Sequence, residues 1–171
     1  PLEKGDGGGF EQMIRDAGQG GEKMIKKILM ASDGSRTSGR ALKVAVEMAK
    51  KMGAKLTLVG VIDNRLYVGR TMPAEVTPTR IAEPVEDYLM QVAGAYLAAD
   101  ARRCKQSGLK PEMVIRMGHP VEEILKEARR SKADLLVMGS HGKSGIGSAM
   151  GSVAFGVLQN DSRVPVLVVR K

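Results

Sequence analysis

From Met24 onward the chain alternates between short apolar runs and stretches with a helical period. The apolar positions of Ile25 to Ala31 predict a first strand. After Asp33-Gly34-Ser35, residues Ala41, Leu42, Ala45, Met48, Ala49 and Met52 recur every three or four positions, and Gly53 supplies a stop, which predicts an amphipathic helix. Lys55 to Ile62 reads as strand two. Val85, Leu89, Val92 and Tyr96 mark a second helix ended by Gly108, and Glu112 to Met117 reads as strand three. Gly118-His119-Pro120 then leads into a helix carrying Val121, Ile124, Leu125 and Ala128, with Pro120 suited to its first turn. Leu135 to Met138 is strand four, a fourth helix runs from about Ser148 or Gly151 to Gln159, and Val164 to Val169 is strand five. The polar, Pro-containing connection from Asp63 to Pro84 is long for a compact domain, which marks it as mobile or functional.

Strict alternation of strands and helices calls for parallel strands joined by right-handed crossovers. Strands that are apolar along their whole length call for helices on both faces. The expected fold is a doubly wound, three-layer α/β/α sandwich with a five-stranded parallel sheet and four helices. Ligands of such sheets sit beyond the carboxyl ends of the strands, where the winding reverses. If strand four lies beside strand one, the segments Ser32-Asp33-Gly34, Gly60-Val61-Ile62-Asp63 and Gly139-Ser140-His141-Gly142 meet there.

Composition narrows this picture. With 171 residues, 43% of them hydrophobic, the chain suits one domain with a real core. The first 23 residues hold seven glycines among charges of both signs and bury too little to offset their ordering entropy; the reading is a flexible tail over 1–23 and a folded domain over 24–171. The sequence has no apolar run of the roughly 20 residues that span a bilayer, and its start lacks an apolar signal core, so a soluble, cytoplasmic protein is expected. The single cysteine, Cys104, stands beside Arg102, Arg103 and Lys105, which suggests a partly solvated thiol. A net charge of +8 would attract polyanions, yet the aromatic content is only 3% and the basic residues are scattered among acids, which argues against a nucleic-acid partner.

Strand four empties into a glycine-rich stretch, Gly139 to Gly147, ahead of Gly151-Ser152-Val153 and an apolar run. Such a loop brings backbone N–H groups close to an anion without Cβ interference, beside the positive end of a helix. Gly142-Lys143-Ser144 ends like a P-loop, but the first glycine of that motif would fall on Val137, inside strand four, so the P-loop is rejected. His119 and His141 lie far apart and, with one cysteine, supply no metal-ligand spacing. Met48, Met52 and Met138 fall on apolar positions and read as core.

In order along the chain, Met24-Ile25-Lys26-Lys27-Ile28-Leu29-Met30-Ala31-Ser32-Asp33-Gly34-Ser35, Val61-Ile62-Asp63, Gly118-His119-Pro120-Val121-Glu122-Glu123-Ile124, Ala133-Asp134-Leu135-Leu136-Val137-Met138-Gly139-Ser140-His141-Gly142, Gly151-Ser152-Val153 and Val164-Pro165-Val166-Leu167-Val168-Val169 resemble the single-domain universal stress proteins. The resemblance covers 24–171. It implies the strand order 3-2-1-4-5 of the adenine nucleotide alpha hydrolase-like fold, a homodimer through edge strand five, and ATP, with Mg²⁺ on its phosphates, as a bound stress or energy signal. It places Asp33, preceded by Ala31 and Ser32, beside the sugar and base, the Val61 main chain on the adenine edge, and Met138 with Gly139 under the ribose. His141 is a further candidate at that site, to polarise a phosphate or a Mg²⁺ ligand. Gly142, Gly151, Ser152 and Val153 would bind phosphates through their N–H groups and the Ser152 hydroxyl. The family's ATP-binding pattern has nine residues between the second glycine and Gly-Ser; here Lys143 to Met150 supply eight.

Plainer roles compete with these. Asp33 or Ser35 could cap the first helix. His141 could be solvated or bonded to main chain, His119 could serve a turn, and Lys143 could reach a phosphate or only water. Ser140 and Ser152 lack an identifiable base in the sequence, so any turnover should be slow. The alternatives to a nucleotide-dependent regulator are a slow ATP hydrolase and a dimeric interaction protein of the same family that binds no nucleotide.

Overall fold

The structure is a computed structural model that describes residues 25–63, 79–142, 150–160 and 163–170, with the side chains of the second helix described from 86 onward. The tail, most of the Asp63 to Pro84 connection, and the glycine loop from Lys143 through Ala149 lie outside the described residues. In chain order the elements are β1 (Lys27–Ala31), α1 (Arg36–Met52), β2 (Lys55–Ile62), α2 (Thr79–Gln106), β3 (Glu112–Met117), α3 (Pro120–Arg130), β4 (Leu135–Gly139), α4 (Ser152–Gln159) and β5 (Val166–Val169). All strand pairs are parallel and the order is β3-β2-β1-β4-β5. The fold read from the alternation and the order implied by the resemblance are both present.

The central strand shows why helices cover both faces. Ile28 and Met30 point into one core, with Leu42, Ala45, Leu58, Leu97 and Val137 from β2, β4, α1 and α2. Leu29 points into the other, with Val121, Ile124, Leu136 and Val157 from β4, α3 and α4. These β1 residues are at most 1% exposed, and each buried aliphatic side chain of this size contributes about 1.5–3 kcal/mol relative to exposure. An edge strand needs less apolar surface: β3 exposes Glu112 and Met113. It is tied to α3 by Arg116, whose Nε and Nη2 both lie 2.7 Å from Oε2 of the buried Glu127.

Element boundaries refine the sequence pattern, and β4 runs one residue further than expected, to Gly139. The β1 ladder starts at Lys27 rather than Ile25, because Asp134 Oδ2 takes the Lys26 and Lys27 amides at 3.0 Å each. β5 starts at Val166; Pro165 accepts from Leu136 N–H but has no N–H of its own to continue the ladder. α4 begins at Ser152, the later of the two expected regions. α2 begins at Thr79, so Pro84 is in its second turn rather than at the end of a connection, despite lacking the amide a helix interior uses.

Two side-chain readings are corrected. Cys104 is 0% exposed and packs with Ala101 and Leu97, so its thiol is not solvated; its neighbours Arg102 and Arg103 point elsewhere on the helix. Met52, in the last turn of α1, is 42% exposed instead of core, whereas Met138 is buried and Met48 packs on the core edge.

Candidate functional site

The β1–β2 ladder ends where the Ser32 amide donates to the Val59 carbonyl at 2.9 Å. In a parallel strand, residues two apart turn their amide and carbonyl to the same side. Ile62 accepts from Gly118 N–H on the β3 side, so Val61 faces the β1 side, beyond the last bond of that ladder. Among the described residues, the Val61 main-chain donor and acceptor therefore have no ladder partner at the carboxyl end of the sheet. On the other flank of β1, Ala31 pairs with Met138, which brings β4 and its following loop alongside.

Asp33, two residues past the end of β1, lies on the second of these flanks. Its Oδ1 accepts the Ser35 amide at 2.9 Å, and Oδ2 would stand 2.7 Å from a Cβ placed on Gly142. Ser35, not Asp33, is the N-cap of α1, accepting Ser38 N–H at 3.1 Å. The carboxylate thus fixes the turn before the helix and lies against the β4 loop. Gly139 is confined as well, since a Cβ would meet the Thr37 carbonyl carbon at 3.0 Å in the first turn of α1.

The loop after β4 is pinched shut at its base. Gly151 N–H donates to the Ser140 carbonyl at 2.7 Å, and a Cβ on Gly151 would be 3.2 Å from His141 Cα. This corrects one expectation: the Gly151 amide is spent on the loop neck and does not point at a ligand. The next amides are different. Gly151 is the N-cap of α4 and makes no side-chain cap bond, so the first-turn amides of Ser152 and Val153 have neither an intrahelical partner nor a cap from that residue. Ser152 is exposed and Val153 half-buried at the mouth of this end.

Other anticipated residues contribute less than their side chains suggest. Met138 is 4% exposed and belongs to the core, leaving only its main chain near the site. Ser32 is 5% exposed and its hydroxyl is engaged, donating to Asp100 Oδ2 at 2.7 Å and accepting Gly34 N–H at 3.2 Å. His141 Nδ1 lies 2.9 Å from Ser140 Oγ, a pairing the sequence reading did not foresee. Ser140 is 1% exposed, which keeps this pair from presenting a nucleophile to solvent. His119 is the N-cap residue of α3 and makes no side-chain cap bond, consistent with a turn role.

Tyr96 and Asp100 went unnoticed as site residues. A Cβ on Gly60 would meet the Tyr96 hydroxyl at 2.6 Å, and one on Gly34, at φ +73°, would meet Tyr96 Cβ at 2.9 Å. The ring fills the space two glycines leave under the ends of β1 and β2. Burial, then the nearby Asp33 and Asp100 carboxylates, push its hydroxyl pKa up to about 12. A glycine inside the apolar strand β2 was the available signal for such a close approach.

A parallel sheet of order 3-2-1-4-5 with a carboxylate, an open main-chain edge and helix-start amides at its winding reversal defines a class of small α/β proteins. The chain belongs to the universal stress protein family, whose sequence profile matches residues 24–170. It is 36% identical over 152 residues to universal stress protein MJ0531 of Methanocaldococcus jannaschii, covering 88% of this chain and 85% of that one. The solved structure of MJ0577 from the same organism superposes with a TM-score of 0.76 at 30% identity, covering 86% and 97% of the two chains. A universal stress protein solved in complex with cAMP superposes with a TM-score of 0.57 at 29% identity, covering 84% and 95%.

Proposed function

We propose that this chain binds an adenine nucleotide, ATP in the first instance, in the crevice between the carboxyl ends of β2, β1 and β4. In this reading it acts as a nucleotide-dependent stress regulator in the cytoplasm. The observation that carries the proposal is the Asp33 carboxylate lying against Gly142 at the end of the sheet where, among the described residues, the Val61 main chain has no ladder partner. An amide and carbonyl at one edge match the acceptor and amino donor of adenine. A carboxylate accepts ribose hydroxyls. The first-turn amides of Ser152 and Val153 at the start of α4 favour the phosphates. The cAMP-bound relative lends support, as its ligand is an adenine nucleotide.

Among the described residues no group of three or more His, Cys, Asp or Glu could hold a metal, so Mg²⁺ would ride on the phosphates of the nucleotide. No helix among them is long and apolar enough to cross a membrane. The regulator would be a homodimer through β5, whose four residues are all only half-buried in the single chain. Sedimentation of the purified protein tests the dimer; a Val168→Lys variant should sediment as a monomer.

Mass spectrometry of material released on denaturing the purified protein, combined with thermal shifts on adding ATP and Mg²⁺, tests the ligand. Release of an adenine nucleotide, or a rise in Tm that grows with ATP concentration, is expected. Absence of both would leave a dimeric interaction protein without nucleotide. A single-turnover assay separates a binding protein from a slow hydrolase, and ATP retained intact for hours excludes the latter.

A further inference from the structure

We infer that Asp100, in the C-terminal third of α2, is a positioning residue for this crevice: through the Ser32 hydroxyl it holds the turn that carries Asp33. The inference rests on the nucleotide reading above and names a part of the site that never touches the ligand. Asp100 is 3% exposed and sits on the face of α2 that otherwise buries Ala93, Leu97, Ala101 and Cys104. A carboxylate is a costly occupant of such a face, and where only packing matters an aliphatic residue serves as well or better. Its bonds indicate what it does there. Oδ2 accepts the Ser32 hydroxyl at 2.7 Å, a short charge-assisted bond, while Oδ1 takes Arg103 Nη1 at 3.1 Å.

The Ser32 oxygen, oriented by that donation, turns a lone pair to Gly34 N–H at 3.2 Å. Asp33 lies between these two residues, and Gly34 adopts φ +73° with Tyr96 Cβ packed against its α-carbon. The turn is thus held from one helix by a hydrogen-bond relay on one side and a ring on the other. With the relay intact, Asp33 keeps both its Ser35 contact and its place against Gly142. Without it, the Ser32 hydroxyl keeps only the longer contact to Ser38 Oγ at 3.5 Å, its lone pair is no longer aimed at Gly34 N–H, and Asp33 samples orientations that do not face the crevice.

The test compares Asp100→Leu, Asp100→Asn and Ser32→Ala with the unaltered protein. ATP–Mg²⁺ affinity is read by isothermal titration calorimetry and Gly34 amide exchange by NMR. Asn still accepts the Ser32 hydroxyl through its carbonyl oxygen, so Asp100→Asn should stay within about threefold of the starting affinity. Asp100→Leu and Ser32→Ala should each lose about tenfold or more, the size of a lost hydrogen bond to a charged group. Gly34 exchange should quicken in both while thermal stability of the Leu variant holds or rises. In the Ser32→Ala background, Asp100→Leu should cost no further affinity. Unchanged affinity and Gly34 exchange in both the Leu and Ala variants overturns the inference, and so does an Asn variant as weak as the Leu variant. If the Leu variant does not fold, Ser32→Ala decides alone. If the unaltered protein binds no ATP, the nucleotide reading fails by itself, and Gly34 exchange then judges the relay.

Discussion

The Asp33 carboxylate lies so close to Gly142 that a Cβ on that glycine would stand 2.7 Å from Oδ2. Contacts this short do not occur, so any side chain at 142 must push the carboxylate away. Gly142→Ala should therefore mimic loss of the acid itself, lowering ATP affinity by about tenfold or more, as should Asp33→Ala. Titration calorimetry checks both; ATP bound as tightly by the two variants as by the unaltered protein removes Asp33 from the ligand's surroundings.

Tyr96 and Gly60 are matched. Gly60→Ala sets a methyl 2.6 Å from the Tyr96 hydroxyl and 3.1 Å from Leu97 Cδ1, an overpacking expected to cost about 1–3 kcal/mol. Tyr96→Phe removes the closer of these atoms. In the double variant the cost of Gly60→Ala should fall by about 1 kcal/mol or more in urea denaturation; strict additivity would place the ring elsewhere.

The hydroxyl of the half-buried Tyr96 and the thiol of the buried Cys104 make the fold sensitive to alkali. Tyr96 is raised from 10.0 to about 12, chiefly by burial and then by Asp33 and Asp100. Cys104 is raised from 9.0 to about 11 by burial and then by Asp100. The unfolded chain gives up these protons first, so unfolding releases them between the two values. The associated stability is complete below pH 9 and is lost as pH rises through 11 and 12, by at most about 3 kcal/mol per group. Denaturation midpoints compared at pH 8 and pH 11 should fall less in Tyr96→Phe and in Cys104→Ala than in the unaltered protein. An equal fall in all three contradicts the assignment.

The Arg116 to Glu127 pair couples β3 to α3. The Glu127 side chain is 5% exposed, and its remaining cation, Arg130, is 3.5 Å away and largely solvated. Arg116→Met should cost about 3 kcal/mol by stranding a buried carboxylate, while adding Glu127→Leu should restore most of that. Chemical denaturation of the single and double variants reads this directly; a double variant no better than the single would mean the loss comes from packing of the arginine stem.

Periodicity fixed most elements because burial in a two-faced parallel sheet leaves a plain trace: β2 spans Lys55 to Ile62 and β3 spans Glu112 to Met117 in both the pattern and the structure. The pattern failed where a distant partner decides. Asp134 draws off the start of β1 from more than a hundred residues away, and no local rule foretells that. Cys104 lies among basic neighbours in sequence, yet its own direction on α2 buries it.

The sequence by itself determined the alternation of strands and helices, the two apolar cores, the family, and the short segments that must gather at the end of the sheet. These are local or pairwise properties, carried by hydrophobic period, glycine placement and motif order. Tertiary structure alone decided which groups at that end are available. Gly151 spends its amide on Ser140, Ser32 spends its hydroxyl on Asp100, and among the described residues Val61 has no ladder partner because β1 stops short of β2. Hydrogen-bond capacity is allocated among groups distant in sequence, so the outcome depends on the assembled neighbourhood rather than on any one segment.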